Sequence, residues 1–136
     1  MNPEDFLKNA RAYFWEESFA IIKAKHTHPE AFANITDKDE ITVIIDQSKL
    51  RNTSLSEIEK QDLSENEKGW KILTLDVVFP LDTVGILAKI SSAMAERGIS
   101  IMTISAYSRD HFLIREKDMV AAATALESLG ISVLVY

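Results

Sequence analysis

Three histidines are the side chains in this 136-residue chain that first invite chemistry. His26 and His28 are two apart and would share one side of a strand, but no third ligand can be set beside them and His111 falls in a distant hairpin. That pattern does not build a tetrahedral zinc site. His111 reads instead as a turn residue bonded to backbone or to Asp110, with a free-side-chain pKa near enough to neutrality for pH to matter. The chain has no cysteine, so a disulfide framework, a thiol nucleophile and a thiolate metal site are excluded, and a reducing compartment is allowed. No Ser/His/Asp set, nucleophile elbow or phosphate-cradling glycine loop stands out. The expectation is a protein that is not an enzyme and carries no metal or cofactor.

What remains is a short loop before an apolar, helix-spaced run. Asp82 or Thr83 can cap the first helical turn by accepting from its exposed amides. Gly85 stands in that turn at a cost of roughly 1 kcal/mol relative to alanine, so a local benefit is expected of it.

The elements around the loop read clearly. Ile72 to Phe79 is β-branched and closed by Pro80, as a strand would be. Ile86, Leu87, Ile90, Ala93 and Met94 recur at three-to-four residue spacing and predict a helix, ended by Gly98 in a left-handed conformation. A second extended run, Ile99 to Tyr107, follows at once. The grammar then repeats: the polar turn Ser108-Arg109-Asp110 leads to a strand at His111 to Glu116, Met119, Val120, Ala123, Leu126 and Leu129 mark a second helix, Gly130 closes it, and Ile131 to Tyr136 is a last strand. Two βαβ halves give βαββαβ, the ferredoxin-like α+β fold, with both helices on one face of an antiparallel sheet.

Towards the N-terminus, Asn2-Pro3-Glu4-Asp5 predicts a helix start with proline at the first position and acids against the dipole. Phe6, Leu7, Ala10 and Phe14 are its expected apolar side. Phe19 to Lys25 and Ile41 to Asp46 read as strands, with a helical turn at Ala31 to Ile35 between them. Gln47 to Gly69 is polar, with Ser54 and Glu57 spaced as a capping box before Ile58. The expected division is therefore 1–65, a reduced unit with its connector, and 66–136, the full βαββαβ unit.

With 46% hydrophobic and 26% charged residues the chain can bury a core. A net charge of −6 disfavours nucleic acids and anionic membranes as partners. No apolar run approaches the length of a membrane span and no basic leader with an apolar core opens the chain, so a cytoplasmic location is expected. Two enzymatic or nucleic-acid uses of a βαββαβ fold also fail on their residues. Acylphosphatases need an arginine in the loop after the first strand, which Leu81 to Gly85 lacks. An RNA-recognition motif needs stacking aromatics on a basic sheet, whereas Phe112 stands alone and Asp76 would repel phosphate.

Phe79-Pro80-Leu81-Asp82-Thr83-Val84-Gly85-Ile86-Leu87, Gly98-Ile99-Ser100-Ile101 and Tyr107 to Ile114 together resemble the ACT domain family. The resemblance is closer still to small bacterial tandem-ACT proteins related to the arginine-sensing CASTOR proteins and to the regulatory part of aspartate kinase. It is close from about Trp70 onward and looser over Tyr13 to Asp46. It implies a regulatory module, most often a homodimer, that binds an amino acid between paired ACT units. Leu81, Asp82, Thr83, Val84, Gly85 and Ile86, with Ser100, Ile101, Met102 and Thr103 across an interface, are the ligand-site residues it implies. A bare glycine lets a ligand approach the backbone there, helix-start amides suit a carboxylate, and Asp82 lies near for an ammonium. A structural pairing module without a ligand is the alternative.

Overall fold

The computed structural model describes residues 3–52, 67–80 and 83–135. They form two compact units, one made of the chain up to Glu16 together with the chain from Lys71 onward, the other running from Glu17 to Trp70. The N-terminal segment thus lies with the C-terminal unit, whereas a boundary at 65/66 would separate them. In chain order the elements are α1 (Pro3–Leu7), β1 (Arg11–Phe14), β2 (Phe19–Ala24), β3 (Ala33–Thr36), β4 (Ile41–Asp46), β5 (Trp70–Leu75), α2 (Ile86–Glu96), β6 (Ile101–Ser105), β7 (Asp110–Arg115), α3 (Met119–Glu127) and β8 (Ser132–Leu134).

The unit formed by the two ends of the chain is α+β, with a mostly antiparallel mixed sheet in the order β8-β1-β5-β7-β6. β1 runs antiparallel to β5 and parallel to β8, while β6 and β7 form an antiparallel hairpin. Alternate residues of three strands, Ala12 and Phe14, Leu73 and Leu75, Phe112 and Ile114, share one buried cluster with Ile86, Ile90, Ala93 and Met94 of α2 and Ala122, Ala125 and Leu126 of α3. The period of two on the strands and of three to four on the helices puts both helices on the same sheet face. The expected βαββαβ path is present, from β5 to β8.

β1 was not expected. The predicted N-terminal helix stops after five residues, Asn9 turns the chain at φ 65°, and Phe14 is a strand residue instead of a helical one. Asparagine tolerates that left-handed conformation better than most residues. Ala12 and Phe14 then face the core two apart, and β1 takes the place between β5 and β8. Leu87 and Val120 also depart from the predicted stripes, both being exposed on their helices. Gly98 and Gly130 follow α2 and α3 in left-handed conformations, as predicted.

The unit from Glu17 to Trp70 contains an antiparallel sheet in the order β3-β4-β2, with β4 in the middle, whose alternate residues Ala20, Ile22, Ala24, Val43 and Ile45 form a small core. The helical turn expected at Ala31 to Ile35 is strand β3, where Ile35 and Thr36 suit a pleated backbone. Asn34 anchors it, accepting from His28 N at 2.8 Å and donating to His28 O at 3.0 Å. A 3₁₀ turn spans Gln47–Asn52. Ser54, Glu57 and Ile58 lie outside the described residues.

Candidate functional site

A concavity of the two-ended unit forms where two turns of the chain meet. β5 ends at Leu75, and residues 76–80 and 83–85, which lead to the start of α2, adopt no regular structure. Gly85 is the N-cap, at φ 93° and ψ −2°, and no side chain among the described residues caps the helix. The expected cap from Thr83 is absent, and Asp82, like Leu81, lies outside the described residues. Facing this segment is the β6–β7 hairpin, closed by the Ser105–Asp110 pair and by Ala106 N donating to Arg109 O at 3.0 Å. Between them lies a cavity of about 460 Å³, lined by Phe79, Pro80 and Thr83 to Ala88 on one side and by Ser105 to Asp110 on the other. That volume lies within the range of small-molecule sites.

Opposite charges and apolar surface meet in the lining. Arg109 Nε donates to Asp76 Oδ1 at 2.8 Å. Asp76 is itself fixed by its backbone amide, which donates to Arg11 O at 2.8 Å as β1 continues alongside β5. Asp110 supplies a carboxylate next to Arg109 in sequence. Val84 and Tyr107 are 82% and 83% exposed at the cavity.

Helix α1 braces the same wall from outside the cavity. Pro3 packs against Gly85, Glu4 pairs with Lys89 at 2.6 Å, and Phe6 meets Phe79 edge-on with ring centroids 5.5 Å apart. The hydrogen bond from Lys89 holds the Glu4 carboxyl below its ordinary pKa. A Cβ at residue 85 would stand 3.0 Å from Pro3 Cγ. The glycine is therefore demanded by its positive φ and by the proline ring; open access for a ligand is not what requires it.

On the sheet face away from α2 and α3, a polar chain crosses three strands' worth of backbone. Trp15 Nε1 donates to Thr74 Oγ1 at 2.8 Å, and Thr74 Oγ1 lies 2.7 Å from His111 Nδ1. With the indole donating to its oxygen, the hydroxyl of fully buried Thr74 has its proton to offer to a neutral imidazole. Burial lowers the His111 pKa, with Arg109 acting the same way and Asp110 opposing. An unfolded histidine, with a pKa of about 6.5, takes up a proton before the folded one does. Stability is thus full above about pH 6.5 and declines as the pH falls from there towards the lower folded-state value. His111→Asn, measured by melting temperature between pH 7.5 and 5, is expected to flatten that decline; an unchanged slope would assign it to other groups.

Residues 65–128 match the ACT domain family. The chain carries an ACT domain. No curated protein is detectably similar in sequence, but solved structures share the fold. A protein from Agrobacterium tumefaciens superposes with a TM-score of 0.72 at 19% identity, covering 94% of each chain. One from Vibrio cholerae gives 0.74 at 19% identity over 91% of this chain and 92% of that one. The ligand-free regulatory subunit of aspartate kinase from Thermus thermophilus gives 0.67 at 13% identity, over 90% and 97%.

Within the ACT domain the sequence-derived site residues separate. Thr83, Val84, Gly85 and Ile86 line the cavity. Ser100, Ile101, Met102 and Thr103 do not; the last three open β6, which pairs with β7 and with no other strand among the described residues. The hairpin residues Ser105 to Asp110 form the second wall within one chain, where the sequence predicts the end of the Ile99–Tyr107 strand followed by the polar turn Ser108-Arg109-Asp110. Their signal was available in Ser108-Arg109-Asp110, a polar turn holding adjacent charges of opposite sign. His26 and His28 lie beyond the end of β2, and His28 Nδ1 accepts from Glu30 N at 3.1 Å, a loop-shaping bond. Among the described residues no three of His, Asp and Glu gather where a metal ion could be held. Nor is any described helix long and apolar enough to cross a membrane.

Proposed function

We propose that this ACT domain is a non-catalytic regulatory module whose cavity holds a free amino acid, and that the chain works as a homodimer. The observation that carries this reading is the cavity between the start of α2 and the β6–β7 hairpin, which combines a charged wall with an exposed apolar one. Such a mixture suits a small molecule with a polar head and a carbon side chain. The aspartate kinase regulatory subunit, whose fold it shares, is by its description a regulatory chain. β6 supplies the means of pairing, since one of its edges is unpaired among the described residues, and a strand edge is a template for a second copy. In such a dimer Ser100 to Thr103 would stand at the shared edge and Thr83 to Ile86 at the ligand.

A thermal-shift screen of the standard amino acids tests the reading. One or a few are expected to raise the melting temperature by several degrees, since ligand at one hundred times its Kd stabilises the folded state by about 2.7 kcal/mol. The open β6 edge favours one second reading, a pairing module with no small ligand. Dimers by light scattering with no thermal response to any amino acid would support that reading against the sensor.

A further inference from the structure

Building on the amino-acid reading above, we propose that the ligand is a zwitterion with an uncharged, apolar side chain, its carboxylate held by Arg109 and its ammonium by Asp110. Arg109 is the sole cation and Asp110 the sole acid among the described lining residues. One of the five guanidinium donors is spent on Asp76, and that bond fixes the plane of the group. Among the described residues its terminal nitrogens make no hydrogen bond, so the fork that matches a carboxylate is presented with its orientation already set.

The charges also discriminate between ligand classes. Asp76 balances Arg109 at 2.8 Å, while Asp110 has no ion pair among the described residues. A ligand must therefore bring a positive group to Asp110 and can bring a carboxylate to Arg109, but a second carboxylate would face Asp110 and a second cation would face the guanidinium. Specificity of this kind comes from what the site repels as well as from what it holds.

The rest of the ligand meets carbon. Val84 and Tyr107 are more than four-fifths exposed and Leu87, off the core stripe of α2, also opens to the cavity. Large apolar side chains clustered at one concavity mark a binding surface. An aliphatic or aromatic side chain laid across them removes both surfaces from water, whereas glycine leaves the wall wet.

Isothermal titration calorimetry of the full chain tests this with leucine, phenylalanine, glycine, aspartate and lysine, and with leucinamide and 4-methylpentanoate, which lack the carboxylate and the ammonium. Leucine or phenylalanine is expected to bind at least 10-fold more tightly than glycine, aspartate or lysine, and either truncated analogue 10- to 100-fold more weakly. Arg109→Gln and Asp110→Asn should each weaken binding by about 10- to 100-fold, the scale of a lost hydrogen bond to a charged group. Circular dichroism should show both folded, and Tyr107→Ala, at an exposed position, reads the apolar wall without touching the core. Aspartate or lysine binding as tightly as leucine, or apolar binding indifferent to Arg109→Gln, would overturn the proposal while leaving the amino-acid reading intact. Failure of every amino acid to bind would bring down both.

Discussion

Phe14→Ala is expected to destabilise the protein by about 3–5 kcal/mol, the usual cost of truncating a fully enclosed phenylalanine. The ring is 1% exposed and lies in the same cluster as Leu73, Leu75, Ile90, Met94 and Phe112. β1, which carries it, is hydrogen-bonded on both sides, to β5 and to β8. No rearrangement of a surface segment can close such a hole, so the lost transfer energy and the cavity add. Were Phe14 on the outer helix that its spacing from Phe6 and Ala10 suggests, truncation would cost far less. Urea denaturation of wild type and variant distinguishes the two: a loss of under about 1 kcal/mol would place Phe14 outside the core.

Gly85→Ala is expected to cost about 1–3 kcal/mol from backbone alone, because an alanine must be held at φ 93°. To this the side chain adds its encounter with Pro3 Cγ at 3.0 Å. Pro3 can yield only by shifting α1, whose Glu4–Lys89 pair and Phe6–Phe79 contact hold it to the same wall. The two contributions separate in a double-mutant cycle with Pro3→Ala: removing the ring should return the steric part and leave the conformational part. A Gly85→Ala variant as stable as wild type would mean that the chain before α2 can re-route without cost.

The path from β5 to β8 was legible because its signals are local and agree. β-branched residues close at Pro80, apolar residues recur at helical spacing, and Gly98 and Gly130 end both helices. β1 was hidden by a coincidence of number, since Phe6, Ala10 and Phe14 are four apart and satisfy a helix as well as Ala12 and Phe14 satisfy a strand. Only pairing with two strands from the other end of the chain decides between them. The candidate site was half legible for the same reason. A glycine before a helix marks Thr83 to Ile86, but what brings Arg109 and Asp110 opposite is the register of β6 on β7, Ser105 against Asp110, and the Asp76 carboxylate that holds the guanidinium. Register and a side-chain pair 33 residues apart leave no local trace.

Amide NMR of the full chain, titrated with the amino acid that most raises its melting temperature, tests the site most directly. Shift changes are expected to concentrate at Thr83 to Ala88 and Ser105 to Asp110, the two walls of the cavity. Changes confined to residues 17–70, or none at ligand concentrations that saturate the thermal response, would contradict a ligand held there.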